Sequence, residues 1–276
     1  MIVDLHTHTT ASDGGLSPQE LLLRAAERGV GLLAITDHDT LDAYQQVDVE
    51  ACAGVQLVCG AEFSCNWQGV NIHVLGLGLD AAEPGLTLAV AEQKRARQQR
   101  GEEIAKRLAK RGVAVSLEAL YERVSDRPLG RPDFARYMLE NGQVRSMSEA
   151  FDRYLGAGKI GDVKAMWPSL EQVLGWIHGA GGAAVIAHPL HYKMTNAKLR
   201  RLLAEFCERG GDALEVCNGR PAEAELRYLR ELCKYFELEA SVGSDFHHLS
   251  QWCDLGCEAE VVGLCTPVWQ RWLRAG

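Results

Sequence analysis

Apolar residues along the chain gather into short continuous runs, separated by segments in which they recur every three or four positions. The runs are "IVDLHTH", "VGLLAITDH", "VQLVCGAEFS", "VNIHVLGLGL", "AAVIAHP", "ALEVCNG" and "ASVGSDFH". Continuous apolar strands alternating with helical segments predict a parallel sheet or barrel covered by helices, and seven such runs point to a barrel. The helices have legible ends. Ser17, Pro18 and Glu20 supply an N-cap, a proline at the first helical position and a capping-box carboxylate, and Gly29 closes the helix. Pro168 to Gly179, Thr195 to Gly210 and Pro221 to about Phe236 read the same way, as crossover helices.

Between "HVLGLGLD" and "GWIHGAGGAAVIAHP" the rhythm changes, and residues 81–165 carry helical signals with no convincing strand. A long charged helix from Glu92 to Gly112 is followed by "SLEALYERV", "RPDFARYMLENG" and "SMSEAFDRYL". The expected organisation is a barrel from residues 1–80 and 166–276, with 81–165 as an inserted helical subdomain.

At 276 residues and 47% hydrophobic, the chain is large enough to bury a full core. No apolar stretch approaches about 18 residues, and the N-terminus lacks the basic and apolar regions of a signal peptide, so a soluble cytoplasmic protein with no membrane partner is expected. The nine cysteines include no C-x-x-C pair, and Cys253 and Cys257 have no second pair to complete a metal site. They read as buried thiols in a reducing compartment. A net charge of −8 argues against a protein that coats nucleic acid or binds double-stranded DNA. The charge is uneven, however: residues 92–166 hold 16 Lys and Arg against 11 Asp and Glu, and the remainder 13 against 26. That asymmetry sets an anion-facing segment into an acidic body.

Candidate chemistry sits at the strand ends. The first run ends in His6 and His8, which alternation places on one face, with Asp13 five residues further on. The second ends in Asp37 and His38, the third in Glu62, and the fourth carries His73. The later runs deliver His188, Asp245 and His247. A barrel of parallel strands gathers such residues at its C-terminal rim. Imidazole nitrogen with carboxylate oxygen suits Mn, Fe(II) or Zn, and the number of donors implies two or three divalent ions. His178 and His248 read as structural, and His191 as lining the pocket.

The motifs "DLHTHTTASDG", "ITDHDT", "GAEFS", "IAHP" and "GSDFH" resemble, in order, those of the PHP (polymerase and histidinol phosphatase) superfamily, whose fold is a distorted seven-stranded β/α barrel. The helical insertion with "GRPDFAR" further resembles the branch of 3′,5′-nucleoside bisphosphate phosphatases and the RNase AM 5′ to 3′ exoribonucleases. That branch is expected to carry a histidine after "GRP", where this chain has Asp133. The resemblance implies His6, His8, Glu62 and Asp245 around one ion and Glu62, His73 and His188 around a second. Asp13, His38 and His247 would hold a third. Asp37 and Asp39 are expected to orient ligand histidines.

A hydroxide held between divalent ions is a nucleophile at neutral pH, so the expected reaction is in-line hydrolysis of a phosphate ester. The leading substrate is a nucleoside 3′,5′-bisphosphate losing its 3′-phosphate. A short 5′-phosphorylated RNA is the alternative, and histidinol phosphate fits less well because of the insertion. Arg131, Lys164 and Arg220 are candidates for gripping a second phosphate, since guanidinium pairs with phosphate through two parallel bonds. Phe134, Tyr137, Trp167 and Tyr192 are near these motifs and could stack on a base, but for each taken alone core packing is the better reading. A non-catalytic nucleotide-binding module, the reading from another class, would require ligands to be missing, and none is.

Overall fold

The computed structural model describes residues 1–48, 50, 54–124, 127–163, 167–250 and 254–273. It divides into two compact units, Met1–Val90 with Pro168–Gly276, and Ala91–Trp167. In chain order the elements are β1 (Ile2–Asp4), α1 (Pro18–Glu27), β2 (Val30–Ile35), β3 (Gln56–Trp67), β4 (Val70–Leu77), α2 (Pro84–Ala109), α3 (Leu117–Val124), α4 (Arg131–Glu140) and α5 (Met147–Ala150). They continue with α6 (Leu170–Gly179), β5 (Ala183–Ile186), α7 (Asn196–Glu208), β6 (Ala213–Asn218), α8 (Glu223–Phe236), β7 (Glu239–Gly243) and β8 (Cys257–Glu258).

All seven apolar runs became strands, and a two-residue β8 joins them in one sheet of order β7-β6-β5-β4-β3-β2-β1-β8. The sheet nearly closes on itself. β8 pairs antiparallel with the start of β1, Cys257 opposite Val3. Beyond Asp4 the chain instead runs beside β7: the Leu5 N–H donates to the Val242 carbonyl at 3.0 Å, and Thr7 bridges Phe246. Gly243 permits that approach, because a Cβ there would lie 2.3 Å from the Cβ of His6.

One expectation is corrected. The barrel is not all parallel, since β4 runs antiparallel to both β3 and β5. Only Gln68 and Gly69 separate β3 from β4, with φ of 47° and 75°, the left-handed geometry of a tight hairpin turn. A parallel return would need a crossover of about a dozen residues or more.

The barrel core is built from both faces of the strands and the apolar stripes of the helices: Phe63, Leu75, Val185 and Leu214 meet Leu174 and Ile177 of α6, Leu203 and Phe206 of α7, and Leu232 of α8. Around α1, Leu21 and Leu22 pack with Leu33, Ile35 and Phe246. Burying each such side chain favours the fold by roughly 1.5–3 kcal/mol. The helices start where their caps place them, with Ser17, Ser169 and Thr195 each accepting from the backbone N–H three residues on. Among the described residues no helix is long and apolar enough to cross a membrane.

The second unit has its own core, in which Ile104 and Leu108 of α2 pack with Leu120, Leu129, Phe134, Met138 and Leu155. The helix expected from Glu92 begins eight residues earlier, at Pro84. Phe134 is fully buried in this core, and Tyr137 packs against it.

Candidate metal centre

At the barrel rim the strands bring His6, His8, Asp13, His38, Glu62, His73, His188, Asp245 and His247 into one cluster, within which four groups of donors can each hold an ion: His8, Asp13, His38 and His247; His6, Glu62 and His188; His6, His8 and Asp245; and His38, Glu62 and His73. His6 and His8 are fully buried, their ring centroids 5.2 Å apart on one side of the extended segment after β1. Asp13 returns over the rim in a loop that needs Gly14, where a Cβ would lie 2.3 Å from the His8 carbonyl oxygen. Its carboxylate lies 3.3 Å from His247 Nε2 and 3.9 Å from both His8 Nδ1 and His38 Nε2.

Glu62 does not end its strand as expected. It lies in the middle of β3, opposite Leu75, and the hairpin continues past it. That extension places His73, which faces Ser64, diagonally across from Glu62, with Nδ1 2.7 Å from Oε1. The same Oε1 is 2.9 Å from His188 Nε2, while Oε2 is 3.5, 3.3 and 2.9 Å from His6 Nε2, His8 Nε2 and His38 Nδ1. Asp245 Oδ1 adds 3.4 and 3.3 Å to the two Nε2 atoms. His188 and Asp245 reach these positions with φ of 27° and 52°. Backbone of that kind costs about 1–3 kcal/mol per residue and persists where the surroundings enforce it.

The donors fit divalent ions. His6 Nε2, His8 Nε2, His38 Nδ1 and Glu62 Oε2 are buried and have no hydrogen-bond partner, a costly condition for so many atoms in one place. His6 Nε2 and His8 Nε2 lie 3.3–3.5 Å from Glu62 Oε2 and from Asp245 Oδ1, close to the roughly 3.4 Å between two ligand atoms that each lie about 2.1 Å from one tetrahedral ion. No thiolate enters the set.

Burial and neighbouring charge pull the histidines apart. Burial would lower His6 and His8, but Glu215, Asp245 and Glu62 hold His6 well above the ordinary imidazole value, and Asp245 and Glu62 carry His8 up to about 10. For His38 burial prevails and the value falls to about 4, and His73 is lowered for the same reason. Glu62, Asp13 and Asp245 stay well below the usual carboxylate range: burial opposes this, and the facing histidines overcome it. Three carboxylates are therefore held ionised, as ligands must be.

A family model for the PHP domain matches residues 4–101. A 5′-3′ exoribonuclease from Haemophilus influenzae is 40% identical over 97% of this chain and 98% of its own length. A 3′,5′-nucleoside bisphosphate phosphatase from Chromobacterium violaceum is 36% identical over 97% and 95%. The chain belongs to the PHP domain family. A solved amidohydrolase structure from Chromobacterium violaceum, with bound sulfate and no metal, superposes with a TM-score of 0.88 at 35% identity, covering 98% of this chain and 95% of that one. Within this PHP chain, the matched region holds six of the nine clustered residues. His188, Asp245 and His247 come from beyond it and are added by the closing strands.

One residue that packs against the cluster was not singled out from the sequence. Glu215 of β6 is fully buried, 2.9 Å from His6 Nδ1, and accepts the backbone N–H of His188 at 2.5 Å and Asn218 Nδ2 at 3.2 Å. A single carboxylate thus orients one candidate ligand and pins the strained backbone of another. Its only sequence signal was a charge inside the apolar run "ALEVCNG". Asp37 instead accepts from the Thr9 backbone and hydroxyl at 2.7 and 2.5 Å and from Ser12 at 2.5 Å, and Ser12 Oγ stands 3.5 Å from His8 Nδ1. Asp39 accepts from the Ser64 N–H at 2.7 Å.

Of the residues expected to meet substrate, His191 stacks on His188 at 5.3 Å, and both line a cavity of about 200 Å³ with Arg220, Asn218 and Glu215. Tyr192 is committed to the fold, its hydroxyl donating to the Ala187 carbonyl at 2.7 Å and accepting from the His73 N–H at 2.9 Å. Arg131, in the helical unit, donates to the Leu155 carbonyl at 3.2 Å. Asp133 closes the first turn of α4, accepting from the Gly130 N–H at 2.7 Å and pairing with both Arg127 Nη atoms at 2.7 and 2.9 Å. Lys164 and Cys253 lie outside the described residues. Cys257 faces Cys217, sulfur to sulfur at 3.9 Å, and the described cysteines are free thiols. His178 pairs with Asp212 at 3.0 Å.

Proposed function

We propose that this PHP protein is a metal-dependent phosphoesterase that removes the 3′-phosphate of nucleoside 3′,5′-bisphosphates. The observation that carries the reading is the set of buried, partnerless His6 Nε2, His8 Nε2, His38 Nδ1 and Glu62 Oε2 converging at the rim. Their mixed imidazole and carboxylate donors serve Mn, Fe(II) or Zn, with Mn the ion we assign because availability rather than raw affinity decides among them. Bound divalent ions supply a water that ionises near neutral pH and positive charge for the phosphoryl oxygens. Glu62, offering one oxygen to His73 and His188 and the other toward His6, His8 and His38, joins the groups into one centre. Glu215 holds the His6 ring so that its Nε2 points at that centre. Arg220, exposed at the mouth of the cavity that His188 and His191 line, offers a forked donor to a phosphate beside the reacting one. Arg131 and Lys164 remain candidates for the same task.

The second reading, 5′ to 3′ hydrolysis of short 5′-phosphorylated RNA, is favoured by the 40% identity to the Haemophilus influenzae exoribonuclease and uses the same rim. Free thiols throughout the described cysteines support a reducing, cytoplasmic setting.

Phosphate release from Mn-loaded protein is the test, with adenosine 3′,5′-bisphosphate, a 5′-phosphorylated RNA oligonucleotide and histidinol phosphate as substrates. Release from the bisphosphate is expected. Shortening of the oligonucleotide to mononucleotides would assign the second reading, and no release from any of the three with metal bound would discard both.

A further inference from the structure

We propose that Ser12 is a positioning residue for the metal centre, passing the hold of the Asp37 carboxylate to the His8 ring and so deciding which ring nitrogen faces the ions; this rests on the metal-binding part of the phosphoesterase reading. Asp37, two residues past the end of β2, reaches across to the loop that follows His8. The Thr9 N–H and the Ser12 hydroxyl donate to its Oδ1 at 2.7 and 2.5 Å, and the Thr9 hydroxyl donates to its Oδ2 at 2.5 Å. The loop is folded to make this possible, since the N–H groups of Ser12 and Gly14 both turn back to the Thr9 carbonyl, at 3.0 and 2.9 Å. His8 and Thr9 are fully buried, and Asp37 and Ser12 keep 1% and 8% of their surface. Three donors on two carboxylate oxygens leave an acid proton no acceptor, so Asp37 is held as the anion, where hydrogen bonds of this kind are strong.

A hydroxyl has one hydrogen to give. That of Ser12 goes to Asp37 Oδ1 at 2.5 Å rather than to Asp13 Oδ1 at 3.5 Å. Toward His8 Nδ1, 3.5 Å away at the long end of the hydrogen-bond range, Ser12 Oγ therefore presents a lone pair, and the partner that fits a lone pair is an N–H. A hydrogen on Nδ1 leaves Nε2 to act as the donor atom. Nε2 is also the His8 atom that is buried without a hydrogen-bond partner, 3.3 Å from both Glu62 Oε2 and Asp245 Oδ1. Ser12 thereby settles a choice that donor proximity leaves open. His8 falls in two of the four donor groups, one with Asp13, His38 and His247 and one with His6 and Asp245, and Asp13 Oδ1 stands 3.9 Å from the same Nδ1. With Nδ1 turned to Ser12, His8 serves the group with His6 and Asp245. Asp37 acts on His8 at one remove, whereas Glu215 grips the His6 ring itself at 2.9 Å.

The experiment uses the full-length chain with isotopically labelled histidine nitrogens, metal-free and loaded with diamagnetic Zn, and the variants Ser12→Ala, Ser12→Thr and Ser12→Val. Long-range proton–nitrogen spectra locate the hydrogen on the His8 ring, and competition titration gives the affinity for Zn and Mn. In the loaded parent the hydrogen is expected on Nδ1 and the metal on Nε2. Ser12→Ala is expected to weaken metal binding by about 10- to 100-fold, as loss of a ligand's orienting partner does, and to shift or broaden the Nδ1–H signal. Thr and Val have nearly the same shape and differ in the hydroxyl, so Ser12→Thr should bind metal about tenfold more tightly than Ser12→Val. Equal affinities for that pair, or a folded Ser12→Ala that holds metal as the parent does, would overturn the assignment. So would a parent whose His8 binds Zn through Nδ1, a result that needs no variant to fold. A parent that binds neither Zn nor Mn would remove the phosphoesterase reading, and the metal-free spectrum would still decide the role of Ser12: an Nδ1–H that changes in Ser12→Ala supports it, and a bare Nδ1 in the parent overturns it.

Discussion

Glu62 and Asp133 are both buried carboxylates, one in the barrel and one in the helical unit, and their surroundings differ in kind. Asp133 is met by donors alone: two guanidinium nitrogens of Arg127 and the Gly130 N–H, all at 2.7–2.9 Å. Glu62 faces five imidazoles whose preferred charges conflict, with His8 raised and His38 and His73 lowered, and its Oε2 makes no hydrogen bond. A buried charge with complete donors holds a fold together. A buried charge whose neighbours are mostly other ligand atoms in unsatisfied geometry marks a place for a cation.

The contrast breaks most sharply at Glu62. Glu62→Gln should lower phosphate release by at least about a thousandfold, equivalent to roughly 4 kcal/mol, and reduce the metal found by elemental analysis. Retention of full metal and activity would make Glu62 a structural residue like Asp133. Next in size is Glu215→Gln, which keeps the side-chain shape and weakens the grip on His6. A 10–100-fold loss of metal affinity by competition titration is expected, typical of removing a ligand's orienting partner.

The pH dependence follows from His8. Its value in the metal-free fold, about 10, lies above the unfolded value of 6.5, so its protonated form stabilises that fold below 6.5 and the contribution is lost as pH rises through 10. A ligand must be neutral, so metal affinity should rise with pH over the same window, by up to about tenfold per unit. Thermal melts with and without metal should therefore shift in opposite directions between pH 6.5 and 10, and parallel shifts would remove His8 from the ligands. The smallest effect is expected at Asp133. Asp133→Asn should destabilise the helical unit by about 1–2 kcal/mol through the lost pair with Arg127, read by hydrogen exchange in α4, and leave metal content unchanged.

Eight of the nine rim residues were legible because they terminate or punctuate an apolar run, with Asp13 five residues beyond the first, and a two-residue spacing such as His6-x-His8 survives folding unchanged. The antiparallel course of β4 was legible too, in the two-residue link Gln68-Gly69, but an expectation of uniform alternation hid it. Asp133 departs from the histidine expected after "GRP", and within its own unit it pairs with Arg127 and caps α4.

What the chain determined by itself is local: strand runs, helix caps, the chelating pair and the hairpin turn, all set by interactions spanning a few residues. The tertiary structure decided which distant atoms share a donor. Glu215 meets His6 across 209 positions, and His188 meets Glu62 across 126. Arg97 and Arg100 meet Trp167 only when α2 has packed against the end of its unit. The grouping of ligands, and the separation of His8 from His38 into raised and lowered values, depend on burial and on charges a few ångströms away. Neither quantity exists until the barrel closes.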